Sequence, residues 1–183
     1  MSVYVVNGYP GSGKTSFEFA VVRLTGGHEL WTHILSTITP IKEIAAHCGW
    51  NWTKTPRDRK FLSDLKDLLT EYNNYSFNWI KQKIAEIEYE AQQYGVDSAR
   101  ICIFVDCREP DEIKKLCDAF GAKSVLVRRP ETEVDEFSNH ADAEVMDYEY
   151  DIVVDNDGDL DHLDKLALKF IGAEGIGPKN DKC

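Results

Sequence analysis

The stretch Gly8-Tyr9-Pro10-Gly11-Ser12-Gly13-Lys14-Thr15 constrains this chain more than any other. It satisfies the pattern G-x-x-x-x-G-K-[ST] at every fixed position. Val3-Tyr4-Val5-Val6 before it reads as a buried strand, and the residues from Ser16 to Leu24 continue as a helix. Strand, glycine loop and helix form the context in which this pattern wraps phosphates. Glycines let the backbone turn its N–H groups inward and approach an anion closely. The helix behind adds unserved N–H groups and the positive end of its dipole. Gly8, Gly11, Ser12, Gly13, Lys14, Thr15 and Ser16 are therefore the candidate ATP-binding residues. Lys14 is placed to reach the β- and γ-phosphates, and the Thr15 hydroxyl to ligate Mg²⁺. At average residue usage an accidental match in a chain of this length is expected about once in a hundred. A chance glycine turn is thus the weaker reading.

The chain has 183 residues, enough for one domain with a substantial core. Its formal net charge of −11 argues against a general nucleic-acid binder, which presents a basic face. No apolar run approaches the roughly 20 residues that span a bilayer. The N-terminus enters the first strand directly, so no signal peptide is expected. Cys48, Cys102, Cys107, Cys117 and Cys183 are odd in number and include no C-x-x-C pair. Reduced thiols in a cytoplasmic protein fit this pattern.

In chain order, residues 30–37 read as a second strand ending in Ser36-Thr37, and Thr39-Pro40 opens a helix. Thr55-Pro56 opens another, with Phe61, Leu62, Leu65, Leu68 and Leu69 as its buried stripe. After Asn73-Asn74 a third helix carries Phe77, Ile80, Ile84 and Ile87 inward. Residues 100–107 form a continuous apolar strand that ends in Asp106, as expected of a parallel strand covered on both faces. A helix from Glu109-Pro110 to Gly121 follows, then a strand at 124–127 that leads into Arg128-Arg129-Pro130. The stretch from Glu131 to Asp147 is polar, acidic and without period. Residues 151–154 form the last strand, and a final helix buries Leu160, Leu163, Leu166 and Phe170. The stretch from Gly172 onward reads as loosely ordered. Strands alternating with helices imply a mostly parallel five-stranded sheet in a three-layer α/β/α sandwich. Ligands gather at the carboxyl ends of such strands. Asp106 is placed there to hold Mg²⁺ or its water shell. Arg108 suits phosphate oxygens through its planar fork. Ser36, Lys42, Arg57 and Arg59 are candidate acceptor contacts, although solvated helix surface accounts equally well for each of the last three. Of Arg128 and Arg129, one is expected on phosphate and one in solvent. Asp155 to Asp159 fails as a calcium loop, because no glutamate sits at the twelfth position.

Phe104-Val105-Asp106-Cys107-Arg108-Glu109-Pro110-Asp111-Glu112 resembles the D-V-R-[FE]-P-x-E signature of phage and bacterial deoxynucleoside monophosphate kinases. Val127 to Pro130, Asn139-His140 with Glu144, and Asp151 to Leu160 resemble that family's later blocks in order and approximate spacing. The resemblance implies a kinase that uses ATP and Mg²⁺. It implies Asp106 and Arg108 in the acceptor and phosphate site, Arg128 or Arg129 in a lid, and Asn156 beside the donor base. His140-Ala141-Asp142 lacks the family's serine and glutamate, and the G-T-E triplet after the leucine-rich helix is absent. Phosphomevalonate kinases of animal type share much of the pattern, so the acceptor stays open between a (deoxy)nucleoside monophosphate and another phosphorylated metabolite.

The resulting expectation is one P-loop kinase-like domain over 1–173, with an acceptor-binding helical segment at about 38–95 and a lid at about 130–147. A flexible tail would follow at 174–183. The partner is a small phosphate acceptor, without nucleic-acid polymer or membrane; a homodimer stays open. Lys14, Asp106, Arg108, Arg128 and Arg129 would carry catalysis. The rival class, a nucleotide switch or motor, lacks support: no N-K-x-D motif follows, and Cys107 rather than glutamate succeeds Asp106.

Overall fold

A computed structural model describes residues 1–26, 30–132, 144–146 and 148–176. Most of the expected lid, including Asn139 and His140, lies outside the described residues, as does the chain from 177.

Five strands form the sheet: β1 (Ser2–Asn7), β2 (Trp31–Ser36), β3 (Ile101–Asp106), β4 (Lys123–Arg128) and β5 (Ile152–Asp155). Their order is β2-β3-β1-β4-β5 and every pair is parallel. Among the described residues six α-helices connect or cover them: α1 (Lys14–Leu24), α2 (Thr39–His47), α3 (Pro56–Asn73), α4 (Tyr75–Gln93), α5 (Pro110–Phe120) and α6 (Leu160–Glu174). The expected α/β sandwich is the observed one.

Alternation along the strands decides what each face meets. Tyr4, Val6, Cys102, Phe104, Val125 and Val127 pack under α1 and α6, against Phe17, Val21, Leu163 and Phe170. Val3, Val5, Ile101, Ile103 and Val105 face α4 and α5, against Ile80, Ile84, Ile113 and Leu116. On the first face Phe170 stands edge-on to Tyr4 and Phe17, with ring centroids 5.0 and 5.3 Å away. Such pairs add about 0.5–1.5 kcal/mol each beyond the area they bury.

Local chemistry sets the helix ends. Thr55 accepts from the Asp58 N–H while the Asp58 carboxylate accepts from the Thr55 N–H, a capping box that starts α3. Asp159 caps α6 through the His162 N–H. Asn74, at φ 54°, both ends α3 and starts α4, so the two helices turn back on each other without a linker.

Three sequence expectations need correction. The stripe assigned to α3 is not buried: Phe61 and Leu68 are 39% and 62% exposed, and the residue of α3 that is buried is Lys66. This helix packs on α2 and α4 rather than on the sheet, so its apolar face is half covered. Leu160, the first residue of α6, is exposed because it precedes the turn that meets the core. Finally, α6 runs through Gly172 to Glu174 and Ile176 is buried in the core, so the loose stretch expected from Gly172 does not include 172–176.

Candidate active site

The glycine loop leaves the carboxyl end of the central strand β1, with β3 on one side and β4 on the other. Gly8, Gly11 and Gly13 hold φ of 148°, 84° and 94°, where L side chains are strained. Close approach adds a second constraint. A Cβ on Gly8 would collide with the Val127 carbonyl oxygen, and one on Gly13 with the Asn156 side-chain amide. The loop is therefore pressed onto β4 and the turn after β5.

Two buried asparagines hold it there. Asn7, the last residue of β1, accepts from the Gly8 N–H at 2.7 Å. Its amide donates to the Arg108 carbonyl at 3.1 Å and to the Tyr150 hydroxyl at 2.7 Å, and that hydroxyl donates to the Val145 carbonyl. Asn156 donates its side-chain amide to the Ser12 carbonyl at 2.8 Å. Its own N–H donates to the Arg128 carbonyl. Asn156, expected beside the donor base, is thus seated beneath the loop and bonds its backbone. Asn7 carried no expectation; a polar residue ending a buried strand just before a glycine loop was the available signal.

The first turn of α1 has no acidic residue, and its N-cap Gly13 supplies no side chain. The N–H groups at that end have no side-chain cap of their own to satisfy, which suits an incoming phosphate. Thr15 and Ser16 stand exposed on this turn. Lys14 donates to the Gly8 carbonyl at 2.5 Å. The Ser12 hydroxyl is buried without a hydrogen-bond partner among the described residues.

Asp106 ends β3 in register with Ser36 on β2 and Val6 on β1. It continues the alternation of Cys102 and Phe104, so it lies on the α1 side of the sheet. Burial pushes its carboxyl above the usual range, while Lys14, Arg108 and Lys42 oppose that shift. One Asp106 oxygen and both oxygens of Glu18 on α1 are buried with no hydrogen-bond partner among the described residues. Burial, then the charge of Asp106, pushes Glu18 up to about 8, with Lys14 opposing. The buried Asp106 oxygen without a partner, at the carboxyl end of β3, is a hard donor of the kind magnesium takes.

Near the start of α2, Lys42 is half-buried. Burial, then Lys54 and Arg108, hold its ammonium below the usual range, with Asp106 opposing. The charges of Lys42 and Arg108 thus act on Asp106, and that of Lys54 acts on Lys42. Arg57 and Arg59 are exposed on α3. The buried Lys66 ammonium ion-pairs with Glu109 and with Glu112, the latter at 2.7 Å, and sits 3.4 Å from the Thr37 hydroxyl. Burial alone would lower Lys66, but Glu112 and Glu109 outweigh it and raise it. Cys107, Glu109 and Glu112 could in principle hold a metal, yet the Lys66 ammonium already serves both carboxylates. At the far edge of the loop, Arg128 is bonded to Asp155 at 2.9 and 2.7 Å and Arg129 to Glu131 at 3.0 Å.

No helix among the described residues is long and apolar enough to cross a membrane. No protein-family model matches the chain, and no curated protein matches it in sequence. Solved structures of similar fold include an APS kinase of Mycobacterium tuberculosis, at 12% identity over 93% of this chain and 96% of that one, with a TM-score of 0.44. A gluconokinase of Sinorhizobium meliloti is 16% identical over 94% and 93% respectively, with a TM-score of 0.49. A shikimate kinase of Aquifex aeolicus is 14% identical over 97% and 100%, with a TM-score of 0.46. Each substrate belongs to that protein alone, and at these values the likeness assigns no function to this chain.

Proposed function

We propose that the protein is an ATP-dependent kinase that passes the γ-phosphoryl group to a small phosphorylated acceptor, in the first place a (deoxy)nucleoside monophosphate. One observation supports the reading: cations from the glycine loop and from outside it act on a single buried carboxyl, Asp106. Lys14 is the cation of the loop; Lys42 and Arg108 come from outside it, and Lys54 acts in turn on Lys42. A switch or motor has use for the loop and its lysine only.

The chemistry follows from placement. An oxygen of the acceptor phosphate attacks the γ-phosphorus in line; the new P–O bond forms as the bond to the β-γ bridging oxygen breaks, and ADP leaves with that electron pair. The acceptor oxygen is already anionic, so no strong base is needed. Lys14 and the N–H groups of the loop face the charge that spreads over the transferring group. Lys42, Lys54 and Arg108 hold the acceptor phosphate and offset its repulsion toward ATP. Mg²⁺, when bound, neutralises phosphate charge, and Thr15 and Asp106 are the residues that would hold it.

The nucleoside reading draws support from Trp50 and Trp52. Their ring centroids lie 5.0 Å apart in the loop that leads to Lys54, and Trp52 is 60% exposed. An exposed indole two residues before Lys54 suits a planar base. The test is ADP release measured with a panel of (deoxy)nucleoside monophosphates and of phosphorylated metabolites without a base. Turnover that is nearly silent alone and strongly stimulated by a monophosphate is expected. Stimulation by a base-free metabolite would move the acceptor class, and turnover indifferent to every acceptor would end the kinase reading.

A further inference from the structure

Glu18 is a buried carboxyl with no part in the proposed phosphoryl transfer. It is 0% exposed, yet it sits on α1 among residues that pack against the sheet. Neither of its oxygens has a hydrogen-bond partner among the described residues. A carboxylate buried in this way costs several kcal/mol unless a cation or hydrogen bonds compensate it. The chain supplies Lys14 nearby, but it also places a second carboxylate, Asp106, against the same space. Arg108 and Lys42 also offset Asp106, whereas Lys14 is the cation that offsets Glu18, so the Glu18 carboxyl is the less compensated of the two.

Helix geometry says where the Glu18 carboxylate points. Side chains on a helix lean toward its N-terminus, and positions i and i+3 share a face. Glu18 is three residues after Thr15, so its carboxylate extends back under the hydroxyl that faces the phosphate end of the loop. Asp106 arrives at the same place from the end of β3, on the α1 side of the sheet. The result is a hydroxyl and two carboxylates from two elements, all hard oxygen donors, with buried oxygens left over.

We infer that Glu18 is a third protein group of the divalent-cation site, which with Asp106 and Thr15 holds the ion that accompanies the nucleotide. Magnesium is commonly held by one or two carboxylates together with substrate phosphates, so a second carboxylate completes the charge balance without crowding the phosphates. The position also explains why a glutamate rather than an apolar residue occupies a fully buried place in the first turns of α1, between the core residues Phe17 and Val21. The inference rests on the nucleotide-site reading of the glycine loop, but not on the identity of the acceptor.

The experiment is a titration of Mn²⁺, read by its electron paramagnetic resonance, into full-length protein with a non-hydrolysable β,γ-imido analogue of ATP. Parent, Glu18→Gln and Glu18→Asp are compared, and binding of the analogue without metal is measured in parallel. The account expects one Mn²⁺ per chain in the parent. Glu18→Gln should lose about tenfold or more in Mn²⁺ affinity, as changes of groups around bound metals do, while metal-free analogue binding is kept. Glu18→Asp, which keeps the charge with a shorter reach, should fall between. Glutamine matches glutamate in shape and has no charge to bury, so a cooperative thermal melt near the parent's is expected. Should Glu18→Gln fail to melt cooperatively, the same comparison is read on Glu18→Asp alone. Unchanged Mn²⁺ affinity and line shape in the variants, with the parent binding normally, would overturn the inference and leave Glu18 a buried neutral carboxyl. A parent that binds neither the analogue nor Mn²⁺ would instead overturn the nucleotide site itself.

Discussion

The glycine loop is fastened by backbone and neutral amides; α3 is fastened to α5 by ions. Asn7 and Asn156 grip the glycine loop through amide and carbonyl groups, and neither brings a charge that would compete with phosphate for Lys14. Lys66 gathers Glu109 and Glu112, so that α3 is joined to the start of α5 by buried ion pairs. The difference teaches that a loop left open to anions is framed with neutral groups, while buried ion pairs are kept for joining helices. The loop is held by Asn7 next to it and by Asn156 from the turn after β5. The ion pairs join α3 to residues 43 and 46 positions further on.

The contrast breaks first, and with the largest effect, at Lys66. Removal of one partner of a buried ion pair strands the other charge and costs about 3–5 kcal/mol. Lys66→Ala should therefore lower the denaturant midpoint sharply, with two carboxylates left facing each other. Lys66→Ala combined with Glu109→Gln and Glu112→Gln should regain most of that loss. A single variant as stable as the parent would show that the ion pairs do not fix α3.

The second effect belongs to the donor side and spares stability. Lys14→Ala should slow phosphoryl transfer by about a hundred- to a thousandfold, the range seen when one donor to a developing charge is removed. Its thermal melt should match the parent's, because Lys14 is not in the core. Turnover near the parent's would mean that the loop is not where transfer occurs.

How these two regions could be read from the sequence follows the same division. The glycine loop, all five strands, and helix starts such as Thr55-Pro56 were legible, because spacing, alternation and caps are local signals. Lys66 was not, because its partners lie 43 and 46 residues away, and the leucines around it suggested an apolar stripe. Position alone makes Lys42 and Arg108 acceptor candidates; that both act on Asp106, at the end of a strand between β2 and β1, depends on the sheet order. Glu18 was passed over as an ordinary helix residue, although its i+4 spacing from Lys14 was visible.

The third and smallest effect sharpens the role of the neutral amides. Asn156→Ala removes a buried donor from the Ser12 carbonyl, and an unserved buried carbonyl costs about 1–3 kcal/mol. The same change vacates the space against Gly13. Affinity for ATP should therefore weaken while the affinity for the acceptor is kept, as read from separate saturation curves for the two substrates. Equal losses for both would place Asn156 in the shared framework rather than on the donor side.

The central claim is transfer from ATP to an acceptor phosphate, and the fate of the γ-phosphoryl group tests it directly. Phosphorus NMR of ATP, Mg²⁺, the protein and a stimulating monophosphate should show ADP and the phosphorylated acceptor growing in equal amounts, with little inorganic phosphate. Inorganic phosphate as the sole product, at a rate the acceptor does not change, would contradict the account.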